Sequence, residues 1–152
     1  MKKNVESPSR VSSETKLYNY NVFSHITRGI KVSVVPAYHE DQSDPSRSLY
    51  IFTYTVTLEN VGEEVCQLIN RHWIVYSAGK QCADVKGEGV VGDQPILLPG
   101  EVYRYTSGTS ISDPVGAMCG TYTFQTDKSE FFDVKIPKFE LMCSGVPEIL
   151  LN

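Results

Sequence analysis

Between Tyr50 and Glu59 apolar and polar residues change places at every step. Tyr50, Phe52, Tyr54, Val56 and Leu58 share one side; Ile51, Thr53, Thr55, Thr57 and Glu59 share the other. That period of two predicts a β-strand with one buried face. Ile30, Val32 and Val34 alternate in the same way as far as Pro36, and the polar stretch from Ala37 to Ser48, with Pro45, reads as a loop. Beyond the Asn60-Val61-Gly62 turn, Val65 to Tyr76 is rich in β-branched and aromatic residues, which favour strands. Gln81 to Lys86, Val102 to Thr106, Ala117 to Thr126 and Phe131 to Ile136 complete about seven strands, separated by Gly-, Pro- and Asp-containing turns.

No segment repeats apolar residues at i, i+3, i+4 and i+7 over ten positions, so no crossover helix is available to join parallel strands. The expected fold class is therefore all-β, an antiparallel β-sandwich. Leu97-Leu98-Pro99-Gly100-Glu101-Val102-Tyr103 favours a sandwich over a closed barrel. Its Pro-Gly pair reverses the chain, and the Tyr103 hydroxyl is placed to bond back to upstream backbone. This spacing is similar to the Leu-x-Pro-Gly-x-x-Tyr of fibronectin type III domains. Trp73 is expected in the core, with Ile69 and Val75 on its face.

Composition narrows the partners. The 152 residues are 41% hydrophobic and 21% charged, which suits one domain with a buried core. Fourteen Lys and Arg against eighteen Asp and Glu give a net charge of −4, the wrong sign for bulk nucleic-acid binding. The charge is uneven. Lys2, Lys3, Arg10, Lys16 and Arg28 against Glu6 and Glu14 make the first 29 residues net +3, and the rest carries −7. The start lacks the apolar stretch of a signal peptide, and no run is long enough to span a bilayer, so a soluble, cytoplasmic protein without membrane association is expected. Cys66, Cys82, Cys119 and Cys143 form no C-x-x-C pair, which argues against structural zinc and for reduced thiols.

Gly87-Glu88-Gly89-Val90-Val91-Gly92 spells the G-x-G-x-x-G of dinucleotide-binding folds, where backbone approaches a pyrophosphate at a helix N-terminus. Pro95, Pro99 and Gly100 leave no room for that helix. The remaining chemical reading is a glycine-rich anion loop formed by Gly87, Gly89 and Gly92, with Arg71 as its candidate cationic contributor. Strand alternation sends Arg71 and Trp73 to one face and His72 to the other. His39, Glu40, Asp41 and Asp44 share a loop but lack calcium-loop spacing, so no metal site is assigned. No cofactor is implied. No serine-hydrolase elbow or nucleophile with a base partner is legible, so no catalytic residue is assigned and a non-enzymatic protein is expected.

Several segments together resemble the ApaG domain family. They are Tyr54-Thr55-Val56-Thr57-Leu58-Glu59-Asn60, Arg71-His72-Trp73-Ile74, Gly87 through Pro95, Leu98-Pro99-Gly100, Tyr105-Thr106-Ser107-Gly108 and Gly120-Thr121-Tyr122. The resemblance runs over residues 28 to 141, leaving an N-terminal arm (1–27) and a C-terminal tail (142–152). It implies a fibronectin type III-like sandwich. Bacterial members are linked by name and gene neighbourhood to diadenosine tetraphosphate metabolism and to cobalt and magnesium tolerance. Eukaryotic counterparts look like interaction modules, and a pyrophosphate role has been suggested for the glycine motif. The leading expectation is a non-catalytic module that binds a protein partner through a sheet face or edge. The alternative is a phosphate-, pyrophosphate- or nucleotide-responsive protein, and homo-oligomerisation through an edge strand stays open.

Overall fold

The computed structural model describes residues 21–143. Nine strands follow in order: β1 (Phe23–Thr27), β2 (Ile30–Tyr38), β3 (Tyr50–Asn60), β4 (Cys66–Ser77), β5 (Lys80–Glu88), β6 (Ile96–Leu97), β7 (Val102–Ile111), β8 (Val115–Thr126) and β9 (Phe131–Met142). Every pairing is antiparallel. One sheet has the order β1-β2-β3-β7; the other runs β5-β4-β8-β9, with β6 also on β4. This is the expected sandwich, with two strands more than the sequence pattern yields. β6 is only two residues long, too short to show a period. β1 lies within the stretch read as the N-terminal arm, and β9 runs one residue into the stretch read as the tail.

The period of two becomes the core. Ile30, Val32 and Val34 from β2 and Phe52, Tyr54, Val56 and Leu58 from β3 face Trp73, Tyr122, Phe124, Val134, Ile136 and Phe139 of the other sheet, all buried. Trp73 is central as expected, 5.0 Å from the Tyr54 ring and edge-on to Tyr122 and Phe139. Ile69 does not share its face. The β4–β8 register shifts between Leu68 and Asn70, so Leu68 is buried and Ile69 only half-buried. A bulge resets alternation, and a strict count of two cannot anticipate it.

β2 continues through Pro36 to Tyr38. β1 pairs no further along it than Val34, so the ring replaces an amide that has no strand to serve. On β9, Pro137 sits where the β8–β9 register shifts. At the sheet ends Asn60 is buried with all its bonds made. It donates to the Glu64 and Leu97 carbonyls at 2.7 and 3.0 Å and accepts from the Gly62 amide at 3.0 Å. No helix of the described residues is long and apolar enough to cross a membrane. All four cysteines are free.

Candidate functional site

The glycine motif supplies the last two residues of β5, Gly87 and Glu88, and the turn after it. Val90 and Asp93 exchange backbone hydrogen bonds at 2.8 Å each way, and the intervening Val91 and Gly92 have φ of 41° and 87°. Two central residues at positive φ make a tight primed hairpin turn. The Gly89 amide donates to the Ile69 carbonyl at 2.8 Å. The amides of Gly89, Val90 and Asp93 are thus occupied by the protein's own carbonyls. Val90 itself is 1% exposed and plugs the core. A side chain at either of two glycines would meet a close neighbour, fixed backbone at Gly89 and the movable end of a side chain at Gly87. A Cβ on Gly89, at φ +65°, would stand 2.3 Å from the Asp93 oxygen, and one on Gly87 would stand 2.8 Å from the Arg71 guanidinium nitrogens.

Arg71 and the loop do come together. Arg71 lies opposite Gly87 across the β4–β5 ladder, and its Nη1 donates to the carbonyls of Glu88 at 3.0 Å and Gly89 at 2.9 Å. Gly92 stands apart, with nothing near its Cα. Among the described residues Arg71 has no carboxylate partner, and its Nε and Nη2 make no hydrogen bond. Its charge acts on three phenols between the sheets: Tyr54 on β3, Tyr105 on β7 and Tyr122 on β8. Burial pushes all three up from the ordinary tyrosine value, Tyr105 and Tyr122 well up, and the guanidinium is one of the influences pulling them back. The Tyr105 and Tyr122 hydroxyls bond each other. The sequence pattern marks these tyrosines only as core positions; their convergence on Arg71 comes from three different strands.

Tyr103 does not bond upstream backbone. Its hydroxyl donates to the Asp93 carboxylate at 2.7 Å, tying β7 to the glycine turn. Burial and that hydrogen bond raise its pKa to about 12. The Pro99-Gly100 reversal is present, with the Glu101 amide on the Leu98 carbonyl and Gly100 at φ +91°. The turn chemistry was legible, but the hydroxyl's partner depends on where the β5–β6 loop returns.

On the outer face of the second sheet, His72 Nε2 meets Asp84 Oδ1 at 2.7 Å. Beside it His72, Ile74, Cys119, Thr121, Lys135 and Lys138 border an open depression of about 670 Å³. Arg71 and His72 therefore face opposite ways, as alternation requires. His39 bonds Thr53 at 2.8 Å, and no group of three His, Cys, Asp or Glu side chains suited to a metal occurs among the described residues.

Each sheet ends on one side at β1 or β9 and on the other at β7 or β5. The first pair abut, the Lys135 amide donating to Thr27 Oγ1 at 3.1 Å. On the other side the sandwich is less closed. Val85 shares a face with buried Trp73 yet stays 44% exposed. The backbone bond from Asn60 to Glu101 sets the β3–β7 ladder so that Arg104, Thr106, Gly108 and Ser110 turn their amides and carbonyls outward. All four residues are exposed.

Among the described residues, fold and site together define an antiparallel β-sandwich with two free sheet edges and, beside one of them, a guanidinium without a carboxylate partner. The ApaG domain profile matches residues 40–126. Protein ApaG of Thiobacillus denitrificans is 46% identical over 121 residues, covering 80% of this chain and 93% of its own. Protein ApaG of Mesorhizobium japonicum is 44% identical over 124 residues, 82% and 95% of the two chains. The crystal structure of the putative ApaA protein from Bordetella pertussis superposes with a TM-score of 0.73 at 43% identity, covering 78% of this chain and 94% of that one. The chain belongs to the ApaG domain family.

Proposed function

We propose that this protein is a non-catalytic binding module that takes a strand of a protein partner along the free edge of β7. The observation that carries this reading is the contrast among the four sheet edges. β1 is five residues long and abuts β9. β9 is interrupted by Pro137 and carries Asp133, Lys135, Lys138 and Glu140; β5 carries Lys80, Asp84, Lys86 and Glu88. Charges, prolines and short length are the usual devices that keep an edge from pairing. β7 has the fewest of them: ten residues, no proline, and Arg104 as the single charge. A row of unpaired amides and carbonyls flanked by hydroxyls accepts an added strand through main-chain bonds, with side-chain pockets setting specificity.

The test is affinity capture from a lysate with the native chain, with Thr106→Pro and with Lys86→Glu as an edge control on β5. Thr106→Pro removes an outward amide, so a stoichiometric partner held by the native chain and the control is lost from it. A partner retained by Thr106→Pro, or no partner at all, overturns the reading.

The unused Arg71 nitrogens favour a second reading, in which a phosphate or pyrophosphate group reaches the guanidinium beside Gly87 and Gly89. Binding to the folded state alone raises the melting temperature with ligand concentration. A titration with pyrophosphate, ATP and diadenosine tetraphosphate, each with and without Mg²⁺ or Co²⁺, gives a rise that Arg71→Met abolishes. No rise at about 1 mM ligand sinks this second reading.

A further inference from the structure

The free edge of β5 is built differently from that of β7. Its one irregularity lies near its start, where Val75 faces Ala83 and Tyr76 faces Gln81, leaving Cys82 as the extra residue of a bulge. From Ala83 to Glu88 the ladder is regular, and the Gly89 amide on the Ile69 carbonyl continues it. That bond sets the phase. Ala83, Val85 and Gly87 turn their backbone groups toward β4, and Asp84, Lys86 and Glu88 turn theirs outward. Asp84 and Lys86 share the outer face with His72; Val85 lies on the opposite face, 44% exposed.

We propose that β5 pairs with β5 of a second copy of this chain, antiparallel about a two-fold axis at Val85. In that register Asp84 faces Lys86 of the partner and Lys86 faces its Asp84, so both cross-strand pairs are of opposite charge. The two valines meet at the axis, and Ala83 faces Gly87 on either side. Ala83 to Gly87 pair without a break, Glu88 falls opposite the Cys82 bulge at the end of the ladder, and outward backbone groups meet outward backbone groups. Moving the axis one residue toward Glu88 sets Lys86 against Lys86 and Asp84 against Glu88. Moving it one residue the other way sets Asp84 against Asp84 and brings the Cys82 bulge into the ladder. The edge charges that discourage pairing with other strands are complementary to themselves, with signs reversed about Val85. The result joins two β5-β4-β8-β9 sheets into one, an isologous contact that closes at two copies.

A single pair of edge strands buries less than a standard stable interface, so the dimer is weak and concentration-dependent. It uses a different edge from the β7 site, and the two stand or fall separately.

Sedimentation equilibrium of the full chain from about 10 µM to about 1 mM shows the average mass rising from 17.0 kDa toward twice that value. Lys86→Glu and Asp84→Lys each set like charges opposite each other twice, and each alone remains monomeric. An equimolar mixture of the two variants dimerises. The two substituted side chains then face each other, and so do the two native ones. This rescue requires both variants to be folded. In a Cys82→Ser background, Val85→Cys forms a disulfide-linked dimer with oxidised glutathione, since paired residues without ladder bonds stand about 4.5 Å apart at Cα. Adding Lys86→Glu prevents it. A native chain monomeric throughout, a dimer untouched by both charge reversals, or a dimer lost in Thr106→Pro instead, overturns the proposal.

Discussion

The three glycines of the motif are equivalent in sequence and unequal in space, and replacing each by alanine separates their roles. At Gly92 the backbone is left-handed, φ +87°, but open space surrounds the Cα, so Gly92→Ala carries the conformational cost alone, about 1 kcal/mol. At Gly89 a similar left-handed cost is joined by a collision. The new Cβ would stand 2.3 Å from the Asp93 oxygen and 3.2 Å from Gln94 Cγ, and Gly89 is buried. Relief requires about 1 Å of movement in the Asp93 peptide, which is held by the two bonds to Val90. Losing both at about 1 kcal/mol net each and loosening buried Val90 brings the total for Gly89→Ala to about 3–5 kcal/mol. Urea unfolding followed by tryptophan fluorescence measures both, Trp73 being the sole indole and buried at the centre of the core. Gly89→Ala within about 0.5 kcal/mol of Gly92→Ala would refute the steric argument. The same asymmetry shapes ligand experiments. Loss of anion response in a Gly89 variant reports on folding first, whereas Gly92→Ala leaves the turn in place and reports on the loop.

Asn60→Ala leaves the Glu64 and Leu97 carbonyls and the Gly62 amide without their partner, and unfolds about 2–4 kcal/mol more easily by the same urea assay. Tyr103 titrates near 12 when folded and near 10 when unfolded, so its contribution is complete below pH 10 and disappears as pH rises toward 12. Between those values Tyr103→Phe loses stability with pH less steeply than the native chain, read from denaturation midpoints. Arg28 bonds Glu64 and Glu130 and lies 4.7 Å from the Phe132 ring centre, all at an exposed corner. The Arg28 guanidinium holds the Glu130 carboxyl below its usual range, so this pairing is full at neutral pH and fades as pH falls through that lowered value. Arg28→Ala lowers the melting temperature in dilute buffer, and the difference shrinks in 1 M salt, measured by thermal unfolding.

Tyr50 to Leu58 shows how far local pattern reaches. Alternation is a property of the strand itself, so β3, its buried face and the all-β class are readable without any partner in view. The same holds for the Pro99-Gly100 reversal, because turn residues act on their own backbone. Ile69 marks the limit: one extra residue in the β4–β8 ladder turned its side chain away from Trp73, and a bulge is specified by two strands together. The +3 of the first 29 residues likewise includes Arg28, whose charge is paired with Glu64 and Glu130 of the body; the other charges of that stretch lie outside the described residues.

What the amino-acid order determined alone was seven of the nine strands, most of their inward faces, the family and the opposite directions of Arg71 and His72. Only the tertiary structure decided that Gly87 makes room for a guanidinium, that Tyr54, Tyr105 and Tyr122 gather around it, and that β5 and β7 are free edges among the described residues. Those outcomes depend on which strands become neighbours. Neighbourhood in an antiparallel sandwich is settled by contacts between residues far apart in the chain, which no local period records.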